Sequence, residues 1–255
     1  MLFRSPIPVE LRPEHIRNWK RHVYPLVRKA LSSRGLVLMS HRHAPFPGET
    51  MLSVERLNNL QTCVETALAE GVPGDFIEAG VWRGGATILM RAVLAAYHVT
   101  DRTVWVADSF QGFPTRLGSI DAQGSDFTGG LGADLFRVDA DEVRRNFSRY
   151  GLLDGQVQFV IGWFSETLGR SPISALAVLR VDCDLFQSTW DVLHALYPKV
   201  SEGGFVIVDD YGAFAECRRA VDQYRLENDI TEPIEWIDDV GIYWRRTRGV
   251  TANVR

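Results

Sequence analysis

Residues 75–85 read Asp-Phe-Ile-Glu-Ala-Gly-Val-Trp-Arg-Gly-Gly, a short apolar run that leads directly into a glycine-containing turn. The run favours a strand over 75–79, because it is short, apolar and bounded by turn residues. A helical pattern over 85–98 follows the turn at once. This order of strand, turn and helix is typical of the repeating unit of an α/β sheet.

The same alternation continues through the rest of the chain. Further strands are predicted at 103–107, 157–161, 176–181 and 204–208, and helices at about 52–70, 85–98, 139–150, 188–198 and 214–228. Near the C-terminus, 234–237 and 242–245 flank the Gly-containing loop 238–241, which predicts an antiparallel hairpin. The sequence therefore predicts an α/β fold, with a Rossmann-like doubly wound sheet and a C-terminal antiparallel hairpin.

Length and composition restrict the class of protein. The chain has 255 residues, of which 45% are apolar, so it can bury one sizeable core. No apolar stretch is long enough to cross a bilayer, and residues 1–12 lack the apolar core of a signal peptide. We therefore expect a cytoplasmic protein without a membrane partner. The three cysteines form no CxxC pair, which argues against a disulfide framework and a structural zinc site.

The N-terminal segment differs from the rest of the chain in charge. Residues 1–50 hold nine lysines and arginines against three acids, a net charge of +6, which leaves −10 for the remaining chain. These basic residues are spread singly along an amphipathic pattern, so a solvated face or a subunit contact is favoured over nucleic-acid binding. We expect 1–50 to form a helical extension that contacts substrate or another subunit, and 51–255 to form the main domain.

The turn 78–85 is the first candidate for a ligand site. Glycines let the backbone approach a ligand closely, and free N–H groups at a helix start can hold an anionic group. The spacing G-x-x-x-G-G from Gly80 departs from the dinucleotide fingerprint G-x-G-x-x-G, which lowers the case for NAD or FAD. A purely structural turn between strand and helix explains the same glycines equally well.

Two further candidates follow the second and third predicted strands. Asp108 comes 28 residues after Gly80, and an acid at this edge can accept hydrogen bonds from the ribose diol of a nucleoside-bearing cofactor. Gly162 and Trp163 follow the third strand, where an aromatic ring can border an adenine. The alternatives are an ordinary surface aspartate and a tryptophan that packs in the core.

Four aspartates at the ends of two consecutive strands are the most specific indication of a functional site in the sequence. Asp182 and Asp184 follow the fourth predicted strand, and Asp209 and Asp210 follow the fifth. Residues two apart in an extended segment project to the same side, so the first two carboxylates share a face. All four gather in one crevice if the strands are adjacent, and this arrangement needs protons or a cation to neutralise it. A hard divalent ion such as Mg²⁺ is the natural solution, because it prefers oxygen ligands.

A metal held by three of these aspartates leaves the fourth for proton transfer. A hydroxyl bound to Mg²⁺ becomes more acidic, and an adjacent carboxylate can remove its proton. The pattern alone leaves open whether Asp182 or Asp184 has this role. The metal-free alternative is that two of the acids cap helices, as the region 210–216 permits.

A long Gly-rich stretch and the absence of two common motifs also bear on the class of protein. The Gly-rich stretch 110–133 is longer than an ordinary connection, and such a stretch is typically a lid, a binding loop or a disordered segment. The chain contains neither a G-x-S-x-G elbow nor a G-x-x-x-x-G-K-[ST] loop, which argues against a hydrolase of that class and against a P-loop NTPase.

Seven motifs together resemble the macrocin/mycinamicin type of sugar O-methyltransferase, over about residues 54–246. They are 56–60 (Arg-Leu-Asn-Asn-Leu), 80–85 (Gly-Val-Trp-Arg-Gly-Gly), 105–114 (Trp-Val-Ala-Asp-Ser-Phe-Gln-Gly-Phe-Pro), 146–153 (Asn-Phe-Ser-Arg-Tyr-Gly-Leu-Leu), 162–164 (Gly-Trp-Phe), 180–184 (Arg-Val-Asp-Cys-Asp) and 203–211 (Gly-Gly-Phe-Val-Ile-Val-Asp-Asp-Tyr). Each motif is weak alone, whereas the combination is highly specific.

The resemblance implies the class I fold of methyltransferases that use S-adenosylmethionine (SAM), and a Mg²⁺-dependent methyl transfer to a deoxysugar hydroxyl of a glycosylated natural product. It also implies a homo-oligomer. By matching motifs, the metal ligands would be Asp182, Asp209 and Asp210, and the general base would be Asp184. The SAM contacts would be Glu78, Gly80, Asp108 and Ser109, to which the strand-end pattern adds Gly162 and Trp163.

The chain departs from its relatives over 1–50 and 115–138, the regions expected to shape the acceptor pocket, so the resemblance does not define the acceptor. Methylation of a catechol-like phenol is the alternative reaction. A basic residue just after the first metal aspartate would favour that reaction, but none is present there, and Leu185-Phe186-Gln187 follows. A non-catalytic SAM-binding subunit is disfavoured, because it has no need to hold four carboxylates together.

Overall fold

The structure is a computed structural model of the chain, and the residues described are 48–114, Asp121 and 136–247. The predicted extension over 1–50 therefore lies outside the described residues, apart from its last three positions, and so does most of the Gly-rich stretch. The chain divides into two units, Met1–Ser53 and Val54–Arg255. Every helix and strand described below belongs to the second unit.

The described residues form one mostly parallel sheet of seven strands. The strands are β1 (Asp75–Ala79), β2 (Val104–Asp108), β3 (Val157–Ile161), β4 (Leu176–Val181), β5 (Val200–Val208), β6 (Glu235–Trp236) and β7 (Ile242–Arg245). Their order is β3-β2-β1-β4-β5-β7-β6, in which β1 to β5 are parallel and β7 pairs antiparallel with both β5 and β6. The predicted doubly wound sheet with a C-terminal antiparallel hairpin is confirmed.

Six α-helices precede, connect or follow the parallel strands among the described residues. They are α1 (Val54–Ala69), α2 (Gly85–Ala96), α3 (Ala140–Arg149), α4 (Phe164–Thr167), α5 (Phe186–Leu196) and α6 (Ala215–Glu227). The single turn α4 was not predicted, because four residues are too few to show a helical period. Helix α5 begins at Phe186, two residues earlier than predicted, and this start lies directly beside the aspartates that follow β4.

The core lies on both faces of the sheet. One cluster of buried residues joins β1, β4 and β5 to α5 and α6, and a second joins β2 to α2 and α3. The adjacent residues Val106 and Ala107 of β2 belong to different clusters, as the alternation of a strand between two covered faces requires. The three cysteines are free and buried. Among the described residues, no helix is long and apolar enough to span a membrane.

Candidate active site

The parallel register brings the predicted site residues to one edge of the sheet. The first N–H beyond each of four strands donates to a carbonyl of the neighbouring strand, at nearly the same height. These bonds are Gly162 N–H to Asp108 O (3.0 Å), Gly80 N–H to Ala107 O (2.9 Å), Asp182 N–H to Ala79 O (2.9 Å) and Asp209 N–H to Val181 O (2.9 Å). The carboxyl ends of β3, β2, β1, β4 and β5 therefore form one continuous row, where open α/β sheets bind their ligands.

The glycine turn after β1 is required by packing against β4. Gly80 has a φ of 85°, and a Cβ built on it would lie 1.8 Å from the carbonyl oxygen of Asp182. Gly84, at the N-cap position of α2, also has a φ of 85°. Both conformations favour glycine. Close packing of the turn against β4 thus explains the glycine at position 80, and the turn lies directly against Asp182, the first of the four aspartates.

Asp108 and Ser109 organise the turns that follow β1 and β2. The Asp108 carboxylate accepts hydrogen bonds from the Val81 N–H at 2.8 Å and from the Phe110 N–H at 2.8 Å. Ser109 Oγ accepts from the Gln111 N–H at 3.1 Å. Burial raises the pKa of Asp108, although these backbone donors oppose the shift. The carboxylate therefore joins the two turns, and its contact with a ribose stays a prediction.

Gly162 and Trp163 lie beside Asp108 at the end of β3. Gly162 has a φ of 134°, and Trp163 is a half-buried residue at the N-cap position of α4. Their position next to the Asp108 turn agrees with the predicted neighbourhood. A contact between Trp163 and an adenine ring stays a prediction.

Three of the four aspartates converge at the ends of β4 and β5. One carboxylate oxygen from each of Asp182, Asp209 and Asp210 lies within 4.8 Å of the others. Asp209 and Asp210 are buried, whereas Asp182 is half-buried. Carboxylate oxygens at this spacing are the ligands that a hard divalent cation such as Mg²⁺ takes.

Asp184 joins the cluster through a turn and not through strand alternation. Strand β4 ends at Val181, and Asp184 has a φ of 54°, with the Leu185 N–H donating to the Cys183 carbonyl at 2.5 Å. The prediction that Asp182 and Asp184 share a face of an extended segment was therefore wrong, because the chain turns between these two residues. The Asp184 N–H donates to Asp210 Oδ2 at 3.2 Å. Burial, together with the charges of Asp182 and Asp209, raises the pKa of Asp184 to about 8.

Two arginines supply counter-charge that the sequence argument did not foresee. Arg180 of β4 is 1% exposed and donates to Glu78, to Asp182 at 2.8 Å and to Asp209. Arg56 of α1 donates from Nη1 to Asp209 Oδ2 at 2.6 Å and from Nε to Asp238 Oδ2 at 2.8 Å. Both oxygens of Asp209 therefore accept a hydrogen bond from a guanidinium group.

The two guanidinium groups cannot balance the negative charge of the cluster when all of its acids are ionised. Two positive charges face six carboxylates, those of Glu78, Asp182, Asp184, Asp209, Asp210 and Asp238. Burial and the neighbouring acids raise the pKa of Asp182 and raise that of Asp210 well above its ordinary value. Burial also raises the pKa of Glu78 to about 8 although Arg180 opposes the shift, and Glu78 Oε2 has no hydrogen-bond partner among the described residues. A divalent cation therefore fits the charge and the donor atoms of this cluster.

The four aspartates do not cap the helices that follow them. The N-cap residues of α5 and α6 are Leu185 and Phe214, and neither side chain accepts a hydrogen bond from an N–H group of its helix. The cap of α5 comes from Asp121, whose carboxylate accepts from the Phe186 N–H at 2.7 Å and from the Gln187 N–H at 3.2 Å. The capping alternative is therefore wrong for these aspartates.

Sequence reasoning missed Arg180, Arg56, Asp238 and Asp121 as parts of the site. Arg180 did leave a signal, because a single arginine in an otherwise apolar buried strand needs acidic partners. The partners Arg56 and Asp209 are 153 residues apart, and no local pattern indicates such a pair.

Comparison with known proteins places these features in a family. Residues 15–246 match the family model described as macrocin-O-methyltransferase (TylF). A Streptomyces niveus protein named demethyldecarbamoylnovobiocin O-methyltransferase is 52% identical over 213 residues, which cover 81% of this chain and 79% of that protein. A Streptomyces olivaceus protein named 8-demethyl-8-(2,3-dimethoxy-alpha-L-rhamnosyl)-tetracenomycin-C 4'-O-methyltransferase is 50% identical over 206 residues, which cover 81% of this chain and 78% of that protein.

A solved structure agrees with the family match. The structure of the O-methyltransferase NovP superposes with a TM-score of 0.78 at 46% sequence identity, over 88% of this chain and 98% of that one. The likeness shows the class I methyltransferase fold, which supports SAM as the methyl donor. The chain is therefore an O-methyltransferase that belongs to the macrocin O-methyltransferase (TylF) family.

Proposed function

We propose that this enzyme transfers the methyl group of SAM to a deoxysugar hydroxyl of a glycosylated natural product, in a Mg²⁺-dependent reaction. The acceptor class is supported by the relatives, one of which is named for a rhamnosyl tetracenomycin. The metal requirement is supported by one observation, the convergence of three carboxylates within 4.8 Å in a cluster with surplus negative charge. A homo-oligomer stays a prediction.

Each strand end has a proposed role. Asp182, Asp209 and Asp210 would hold Mg²⁺, which when bound supplies positive charge that lowers the pKa of an acceptor hydroxyl. The turns after β1, β2 and β3 would bind SAM through Glu78, Gly80, Asp108, Ser109, Gly162 and Trp163. These turns form the same sheet edge as the acid cluster, so donor and acceptor would meet above β1 and β4.

Asp184 would act as the general base. As the acceptor oxygen forms its bond to the methyl carbon, the bond from carbon to sulfur breaks and the hydroxyl proton passes to the Asp184 carboxylate. Without a cation, burial and neighbouring acids raise the pKa of Asp184 to about 8, and the positive charge of bound Mg²⁺ would oppose this shift, so that the carboxylate would be ionised and able to take up the proton. Asp184 is free for this role, because Asp182, Asp209 and Asp210 already converge without it.

The test is methyl transfer to the acceptors named for the two relatives, demethyldecarbamoylnovobiocin and the rhamnosyl tetracenomycin, with Mg²⁺ and with EDTA. We expect transfer to at least one acceptor, and its loss in EDTA. Asp184→Asn should lower kcat by ~10²–10⁴-fold, the usual contribution of a positioned base. Its SAM affinity by calorimetry should stay unchanged.

Asp139→Asn is the matched control, since Asp139 is an exposed cap residue of α3. It should keep the activity of the unaltered enzyme. Full turnover in EDTA would contradict the metal role, and full turnover of Asp184→Asn would contradict the base.

A further inference from the structure

Asp121 connects a distant part of the chain to the segment that carries Asp184. Its side chain is buried, with a residue exposure of 2%, and it accepts from the N–H groups of Phe186 and Gln187. These are the first two residues of α5, and Asp184 lies two residues before them. Because 65 residues separate Asp121 from Phe186, the contact is tertiary and not a local turn.

Helix α5 needs this external cap. The first N–H groups of a helix have no partner within the helix, and a polar residue at the N-cap position normally accepts from them. The N-cap residue of α5 is Leu185, whose side chain cannot accept a hydrogen bond. Asp121 therefore satisfies donors that would otherwise be free beside the acid cluster.

Without Asp121, the Asp184 carboxylate becomes a candidate acceptor for those donors, because Asp184 lies two residues before the first residue of α5. An aspartate commonly accepts from the backbone N–H two residues further on, which for Asp184 is the N–H of Phe186. An Asp184 carboxylate that accepted this hydrogen bond would turn away from Asp182 and Asp210 and toward the start of α5. The backbone of Asp184 is already in the sparsely populated left-handed region, with a φ of 54°, so its conformation depends on the contacts around it.

We propose that Asp121 is a positioning residue for Asp184: it occupies the N–H groups at the start of α5 and so keeps the Asp184 carboxylate directed at the acid cluster. The proposal rests on the proposed role of Asp184 as base. The contacts described for Asp121 are with the N–H groups of Phe186 and Gln187, so it acts through the start of α5.

The variants Asp121→Ala and Asp121→Asn test this role by steady-state kinetics with saturating Mg²⁺ and SAM. We expect Asp121→Ala to lower kcat by roughly 10- to 100-fold, a part of what a positioned base contributes. The KM for SAM should change little. Asp121→Asn retains one acceptor oxygen and should recover part of kcat. Asp139→Ala is the control. The Asp139 side chain caps α3 by accepting from the Asp141 N–H, and removing this cap should leave kcat unchanged.

A double-mutant cycle separates positioning from a general loss of structure. Because Asp121 acts through Asp184, Asp121→Ala should have almost no further effect on kcat when Asp184→Asn is already present. A loss of equal size in both backgrounds would overturn the proposal. If Asp184→Asn itself kept full turnover, the proposed base would fail instead, so the two failures are distinguishable.

A crystal structure of Asp121→Asn or Asp121→Ala gives a readout that needs no acceptor. We expect the Asp184 carboxylate of Asp121→Ala to accept from the Phe186 N–H and to move away from Asp210. An Asp184 that keeps its φ and its place in the cluster would also overturn the proposal.

Discussion

At the scale of single residues, Arg180 does most to make the cluster possible. One guanidinium, 1% exposed, contacts carboxylates that belong to three different strands, namely Glu78 of β1, Asp182 after β4 and Asp209 after β5. A planar guanidinium offers five donors in a fixed fork, whereas a lysine offers a single point charge. Arg180 thus stabilises the junction between the end of β1, which carries the proposed SAM contact Glu78, and the proposed metal ligands.

Arg180→Met should therefore destabilise the fold strongly. The change keeps much of the volume but leaves buried carboxylates without their cation, and breaking a buried pair in this way costs ~3–5 kcal/mol. The free energy of unfolding, measured in urea with EDTA present, is the appropriate quantity. Arg144→Met is the control, because Arg144 pairs with the exposed Asp141 and 38% of its own side chain is exposed. That variant should lose less than ~1 kcal/mol, and an equal loss in both variants would contradict the importance assigned to burial.

At the scale of elements, the strands were predictable and the turns after them were not. Strands β1 and β4 are covered on both faces. Strand β4 is apolar apart from Arg180, and the Phe-Ile pair of β1 lies between turn residues, so both strands were easy to recognise. The turn at Asp184 gave no signal, since a positive φ at an aspartate depends on tertiary contacts such as that of Asp121. For the same reason the sequence predicted which acids gather but not the arginines that hold them.

The turn after β1 packs so closely against the end of β4 that Gly80 leaves no room for a side chain. Gly80→Ala should cost ~1–3 kcal/mol or more from overpacking, in addition to the strain of a positive φ. Gly71→Ala is a matched control, since Gly71 has a φ of 65° but nothing within 4 Å of the added Cβ. The difference between the two urea unfolding energies isolates the clash with Asp182 O. Equal losses would show that the turn can move away from β4 without cost.

At the scale of the whole molecule, the acid cluster links folding to pH and to cation binding. Burial and mutual repulsion raise the pKa of Asp184 to about 8, and raise those of Asp182 and Asp210 as well. Between the ordinary pKa of an aspartate and these raised values, the metal-free native state binds more protons than the unfolded chain does. The contribution of these carboxyl groups to stability in EDTA is therefore fully present below the ordinary pKa of an aspartate, and that of Asp184 is lost as the pH rises through about 8.

Mg²⁺ should reverse this trend, because it binds the deprotonated carboxylates of the native state and competes with protons for them. At a concentration of ~100 times its Kd, a ligand stabilises the fold by ~2.7 kcal/mol, which corresponds to a rise in Tm of roughly 5–10 °C for a chain of this size. We expect the rise to be larger above about pH 8 than below it, as measured by thermal unfolding with and without Mg²⁺. Asp182→Asn should reduce the rise, whereas Asp139→Asn, on the exposed start of α3, should not. The rise in Tm could instead be equal above and below pH 8, or persist in Asp182→Asn. Either result would mean that the cation binds elsewhere. The cluster would then be held together by the two arginines and bound protons alone.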